Sequence, residues 1–170
     1  DGFTMGSSGG FNGSGYTYVA WNWKANGSGV SNNVGSITST VSANTTSGFS
    51  VVSYTGTGAN ATVGHGLDSA PEMVVVKRRD STSDWVVYHT GLPSASYRIY
   101  LNYTLAQDSG TAASATWNDT DPTSTVFSIG TNNNVNVSTA THIAYCFHSV
   151  EGFSKFGSYV GNGSSDGTFV

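Results

Sequence analysis

SGFSVVSYTGTGANATVGHGLDSAPEMVVVKRR, residues 47–79, is the stretch from which the fold is read. Phe49, Val51 and Ser53 alternate with Ser50, Val52 and Tyr54, the two-residue period of a strand whose sides face different surroundings. The TGTGAN run at 55–60 is built of turn formers, and the MVVV run at 73–76 is β-branched and apolar. The stretch therefore reads as strand, turn, strand.

Beyond it, β-type runs continue at 73–77, 84–89, 97–102, 126–129 and 141–147, with a polar loop carrying Trp117 and Pro122 between the third and fourth. Seven or so short strands at regular spacing, with no helical periodicity, predict an all-β fold, an antiparallel β-sandwich of the jelly-roll kind. Toward the N-terminus, residues 28–47 are a low-complexity polar connector with two apolar hooks, Ile37 and Val41, readable as an extended strand or as a linker. Residues 16–23, YTYVAWNW, read as a strong strand with Trp21 and Trp23 buried on one of its faces.

Internal repetition organises the ends of the chain. Phe127-Ser128-Ile129-Gly130 repeats Phe3-Thr4-Met5-Gly6, and Ile143-Ala144-Tyr145-Cys146-Phe147 repeats Val19-Ala20-Trp21-Asn22-Trp23, both at an offset of 124 residues. Gly152-Phe153-Ser154 repeats Gly48-Phe49-Ser50 at offset 104. Tyr159 to Gly163 then repeats Tyr54 to Gly58 at offset 105, one residue having been inserted. The chain thus divides into a partial module at 1–27, a connector at 28–47, a complete sandwich module at 48–150 and the start of another module at 151–170. Units of this kind complete one another. A chain that opens on Asp1 rather than on methionine fits a processed product or a piece of something longer.

Composition narrows the function. Charged residues make up 9% of the chain while Gly, Ser, Thr and Asn crowd it, which suits an extracellular β-protein covered in hydroxyls and amides. A net charge of −4, with no basic cluster beyond Lys77-Arg78-Arg79, argues against a nucleic-acid partner. No apolar run is long enough to span a bilayer. One cysteine, Cys146, permits no internal disulfide, and its place in a β-type run predicts a buried thiol.

Few residues invite chemistry. His65 lies between Gly64 and Gly66, where a ligand could approach, but no zinc-type spacing accompanies it, so a turn histidine bonded to backbone is the simpler expectation. Most carboxylates sit in turn sequences, and Asp119-Thr120-Asp121 is the one acidic loop that suggests calcium. No catalytic motif appears, and the chain is expected to be neither an enzyme nor a cofactor binder. Trp117, in its polar loop, is the candidate for stacking on a sugar. Sequons for N-glycosylation occur at Asn12, Asn26, Asn44, Asn60, Asn102, Asn118, Asn136 and Asn162.

The runs GFSVVSYTGTGANATVGHGLDSAPEMVVVKRRDSTSDWVVYH and HIAYCFHSVEGFSKFGSYVGNGSSDGTFV resemble a domain of unknown function found in phage virion proteins, often tail-associated, and in environmental sequences, where such modules occur in tandem. The resemblance covers most of residues 36–170 and implies a β-sandwich with a structural role and no catalytic residues. The expected function is a structural subunit that assembles with copies of itself into a filament, fibre or tail-like appendage by strand complementation. Its expected interface residues are Phe3, Met5, Tyr16, Tyr18, Val19, Trp21 and Trp23 in the head, with Phe153, Phe156 and Tyr159 in the tail. The alternative is a carbohydrate-binding adhesin domain that recognises glycans on a host surface.

Overall fold

The computed structural model describes residues 2–167. Asp1, which opens the expected N-terminal partial module, and residues 168–170, which close the expected C-terminal one, lie outside the described residues. The strands are β1 (Val30–Asn32), β2 (Ser39–Asn44), β3 (Phe49–Thr55), β4 (Ala61–Gly64), β5 (Met73–Arg78), β6 (Trp85–His89), β7 (Ile99–Tyr100), β8 (Val126–Ile129) and β9 (Thr141–Phe147). Two short helices, α1 (Gly9–Asn12) and α2 (Thr111–Trp117), interrupt them.

Seven strands form one antiparallel sheet in the order β1-β2-β3-β9-β5-β6-β7, while β4 and β8 form a second, two-stranded one. β9, the last in sequence, lies at the centre, between β3 and β5. The all-β, two-layer expectation holds. The division of seven strands against two differs from the paired four-stranded sheets of a jelly roll, because Ile37, Leu67, Trp117 and Val135 fill much of the second layer in place of strands.

The inner face of the large sheet carries the alternate residues Val52 and Tyr54 of β3, Val74 and Val76 of β5, Val86 and Tyr88 of β6, and Ala144 and Cys146 of β9. Against them pack Val63 of β4 and Phe127 and Ile129 of β8, which closes the main core. Area removed from water stabilises such a layer by about 25 cal/mol per Å² of apolar surface. The layers approach closely where β8 ends, since a Cβ on Gly130 would meet the Ala115 carbonyl of α2.

Four expectations change. Residues 28–47 are no linker: β1 and β2 extend the large sheet, with both apolar hooks, Ile37 and Val41, in the core. The run at 97–102 shortens to Ile99–Tyr100. Trp117 lies in a helix rather than an open loop, with Ala113, Thr116 and Trp117 turned inward together. Residues 16–23 form no strand, and Trp21 and Trp23 are 80% and 56% exposed. Their pattern is strand-like, but a strand needs a neighbour, and among the described residues no sheet edge pairs with them.

Candidate functional site

The large sheet has a second face, and it too is apolar. Register places its residues in rows. Phe49, Phe147 and Met73 lie side by side across β3, β9 and β5, and the next row is Val51, Tyr145, Val75, Val87 and Ile99. A third row runs Ser53, Ile143, Lys77 and Trp85, with the Leu101 amide donating to the Trp85 carbonyl beyond it. A solvated face would carry polar residues at these alternate positions. This one instead forms a second apolar cluster centred on Phe49, Val75, Val87 and Phe147.

Two segments partly cover that face from one end. From the head, Trp23 packs edge-on against Phe147 at 5.7 Å and tilted by 36° against Phe49 at 6.3 Å. The chain behind it is pinned to β2: the Asn44 side-chain amide donates to the Lys24 carbonyl, the Asn26 amide donates to Ser42 Oγ, and that hydroxyl donates to the Gly27 carbonyl. From the tail, Phe156 sits 5.5 Å from Phe147, held by a 3.0 Å bond from its amide to Ser149 Oγ. Between these straps and β7 a groove of about 590 Å³ remains open, walled by Trp21, Trp23, Val51, Trp85, Leu101 and Tyr145. Trp85 and Tyr145 stack there with rings 6.4 Å apart and 15° from parallel. The groove offers apolar and aromatic surface and, among its described lining, no nucleophile or acid–base pair. Apolar and aromatic surface of this kind is suited to packing against another apolar surface.

The expected site residues divide. Phe3, Met5, Tyr16, Tyr18, Val19, Trp21, Trp23, Phe153 and Tyr159 are exposed, and Phe156 is half-buried against the second apolar cluster. Only Trp21, Trp23 and Phe156 of these line the groove. Trp117 cannot stack on a sugar: it is 2% exposed, edge-on to Tyr88 at 6.0 Å inside the core. Asn136 is likewise no acceptor for a glycan. It is fully buried, accepting from the Thr57 amide and donating to the Ala59 and Gly130 carbonyls, each at 2.7 Å. Asn12, Asn26, Asn60, Asn102, Asn118 and Asn162 are exposed, and Asn44 is half-buried.

His65 is buried, with Nε2 donating to the Thr123 carbonyl and Nδ1 accepting the Leu67 amide. Burial lowers its pKa, which keeps this ring neutral. The Cys146 thiol is buried and pushed up to about 12 by desolvation, so it is inert rather than nucleophilic. At the suspected calcium loop, Asp121 accepts the Tyr88 hydroxyl, and among the described residues no three acidic, histidine or cysteine side chains gather. No helix of the described residues is long and apolar enough to cross a membrane.

Sequence reasoning missed Trp85, Tyr145 and Leu101 as surface features. A signal was present, since VVV within β5 offers apolar residues to both sides of the sheet. It also missed Arg98, buried, which donates to Asp108, to the Ala112 carbonyl and to Thr116 Oγ1 and so ties the 101–110 loop to α2.

Comparison with known families matches residues 1–170 to the family described as Domain of unknown function (DUF7483). No curated protein matches, and no solved structure matches.

Proposed function

We propose that this chain, which belongs to the DUF7483 family over its whole length, is a structural subunit that joins copies of itself into a filament, fibre or tail-like appendage. One observation carries the reading. The head sets Phe3, Tyr16, Val19 and Trp21 in solvent, and its residues 16–23 have the pattern of a strand and, among the described residues, no strand partner. Monomeric proteins rarely expose contiguous apolar surface of this kind, and unpaired strands recruit neighbours. Donation of the head to another copy supplies the missing partner, as in strand complementation. The joint is heterologous and propagates as a filament unless its rotation closes a ring. The low charge and the abundance of hydroxyl side chains support an assembly outside the cell or on a virion, and the sequence repeats at 1–27 and 151–170 support a tandem design.

Deleting residues 1–24 tests this. The shortened chain should remain folded by circular dichroism and sediment as a monomer, while the full chain forms polymers visible by negative stain. Polymers of unchanged length from the shortened chain would refute the reading.

A second reading, glycan recognition by an adhesin domain, moves from Trp117 to the Trp85–Tyr145 stack, where Trp85 at 37% exposure presents a ring at the groove rim. Saturable glycan binding by a monomer, abolished by Trp85→Ala, would favour it over assembly. Neither reading assigns catalysis, and His65, the histidine flanked by glycines, already spends both ring nitrogens on backbone.

A further inference from the structure

The head and the tail are copies of two particular strands. Residues 17–23 repeat β9 at offset 124, and residues 153–159 repeat β3 at offsets 104 and 105. In the folded module β3 and β9 are hydrogen-bonded neighbours at the centre of the large sheet. Register there is known: Phe49 faces Phe147, Ser50 faces Cys146, Val52 faces Ala144 and Tyr54 faces His142.

Resting on the self-assembly reading above, we infer that the head of one copy pairs with the tail of the next as an antiparallel strand pair in the register of β3 and β9. Carried through the offsets, Trp23 faces Phe153, Asn22 faces Ser154, Ala20 faces Phe156 and Tyr18 faces Tyr159. Tyr18 beside Tyr159 reproduces the stack of His142 on Tyr54, whose rings lie 5.2 Å apart and 13° from parallel. The residue inserted between Phe156 and Tyr159 is accommodated as a bulge at Gly157-Ser158, where glycine tolerates the local bend.

The partner is a second copy because a single chain leaves the pair unmade. Trp23 and Phe156 both touch the ring of Phe147, so the two segments already lie against one side chain. Even so, residues 17–23 are all exposed and have no strand assignment. Pairing between copies also changes one feature of the tail. In β3 the residues bonded to β9 are the even-numbered ones, since Gly48 accepts from the His148 amide and Gly56 donates to Ala140. Their counterpart Ser154 now exchanges two bonds with Val150 in a tight turn. That turn opens when Ser154 turns to Asn22, and its two bonds are replaced by two across the new pair.

Disulfide mapping tests the register. Facing strand residues bring Cα atoms to about 4.5–5.5 Å, within disulfide reach, whereas three residues of slip adds about 10 Å. Cys146 is fully buried, so introduced thiols react alone. The variants are N22C, S154C, the double variant N22C/S154C and the off-register double variant N22C/G157C, each checked for fold by circular dichroism and for assembly by sedimentation before treatment with diamide. The expected result is a ladder of covalent multimers from N22C/S154C, mixed dimers from the two single variants combined, and no ladder from N22C/G157C. Assemblies that sediment normally but give no ladder would overturn the register and leave the self-assembly reading standing. A disulfide closed within one chain would overturn pairing between copies. Chains that sediment only as monomers would overturn both.

Discussion

Replacing Trp117 with alanine is expected to cost about 3–5 kcal/mol of folding stability, the range for truncating a buried aromatic ring. The indole is 2% exposed at the end of α2, edge-on to Tyr88 and within the cluster that holds Val63, Phe127 and Ile129. Its loss would leave a hole between the layers that neither sheet can move to fill. With a urea dependence of about 2 kcal/mol per molar, the unfolding midpoint should fall by roughly 2 M. Trp117→Phe separates packing from hydrogen bonding. Nε1 has no hydrogen-bond partner among the described residues, so phenylalanine discards a buried donor along with some volume and should cost only about 1–2 kcal/mol. Urea unfolding followed by far-ultraviolet circular dichroism measures both variants. A Trp117→Ala midpoint close to that of the parent, with glycan binding lost instead, would refute the placement of this ring in the core.

Asn136→Ala should destabilise by about 2–4 kcal/mol, because it strands the Thr57 amide and the Ala59 and Gly130 carbonyls; the parent, expressed in a glycosylating host, should show no glycan on Asn136 by peptide mass spectrometry. Gly130→Ala should cost about 1–3 kcal/mol and lower the melting temperature by roughly 2–4 °C per kcal/mol, since the new methyl meets the rigid Ala115 carbonyl; an unchanged melting temperature would contradict the close approach of β8 to α2. His65 and His142 both have pKa values lowered, chiefly by burial, so the folded state refuses protons that the unfolded state accepts. Stability should therefore be full above about pH 6.5 and fall as pH drops through and below that value toward the lowered folded pKa values; urea midpoints that stay flat from pH 7.5 to 5 would speak against neutral buried rings.

Strand identity was legible wherever a short run carried its own alternation. β3, β5, β6, β8 and β9 fall where Phe49–Thr55, Met73–Arg78, Trp85–His89, Val126–Ile129 and Thr141–Phe147 show β-type composition. Less visible was what each face meets. Val51 and Val52 both read as strand residues, yet the second is fully buried in the main core and the first lies half-buried on the open face. α2 was missed although Ala113, Thr116 and Trp117 stand at the i, i+3, i+4 spacing of one helical face, because small and hydroxyl residues made the run look like a loop. Asn136 resembled seven other sequons, and its burial is decided by residues 57–59, far away in sequence.

The head shows the limit most clearly. Val19-Ala20-Trp21-Asn22-Trp23 and Ile143-Ala144-Tyr145-Cys146-Phe147 carry the same alternation, and pattern alone predicts a strand for both. The second becomes the central strand of a seven-stranded sheet because β3 and β5 supply hydrogen-bond partners on both edges, with Phe49 reaching across the sequence to Phe147. The first has the side chains for a sheet but no edge to join among the described residues, and it stays exposed save where Trp23 rests on Phe49 and Phe147. A strand is a property of a pair of segments, so a periodic pattern specifies what a segment presents and not whether a partner exists. What the duplicated sequence adds is the ground for the partner proposed above. A copy of β9 calls for a copy of β3, and the chain carries one at residues 153–159. Under the pairing proposed above, the exposed tryptophans of the head and the exposed Phe153 and Tyr159 of the tail are two halves of one interaction, each covering the apolar surface that the other leaves in solvent.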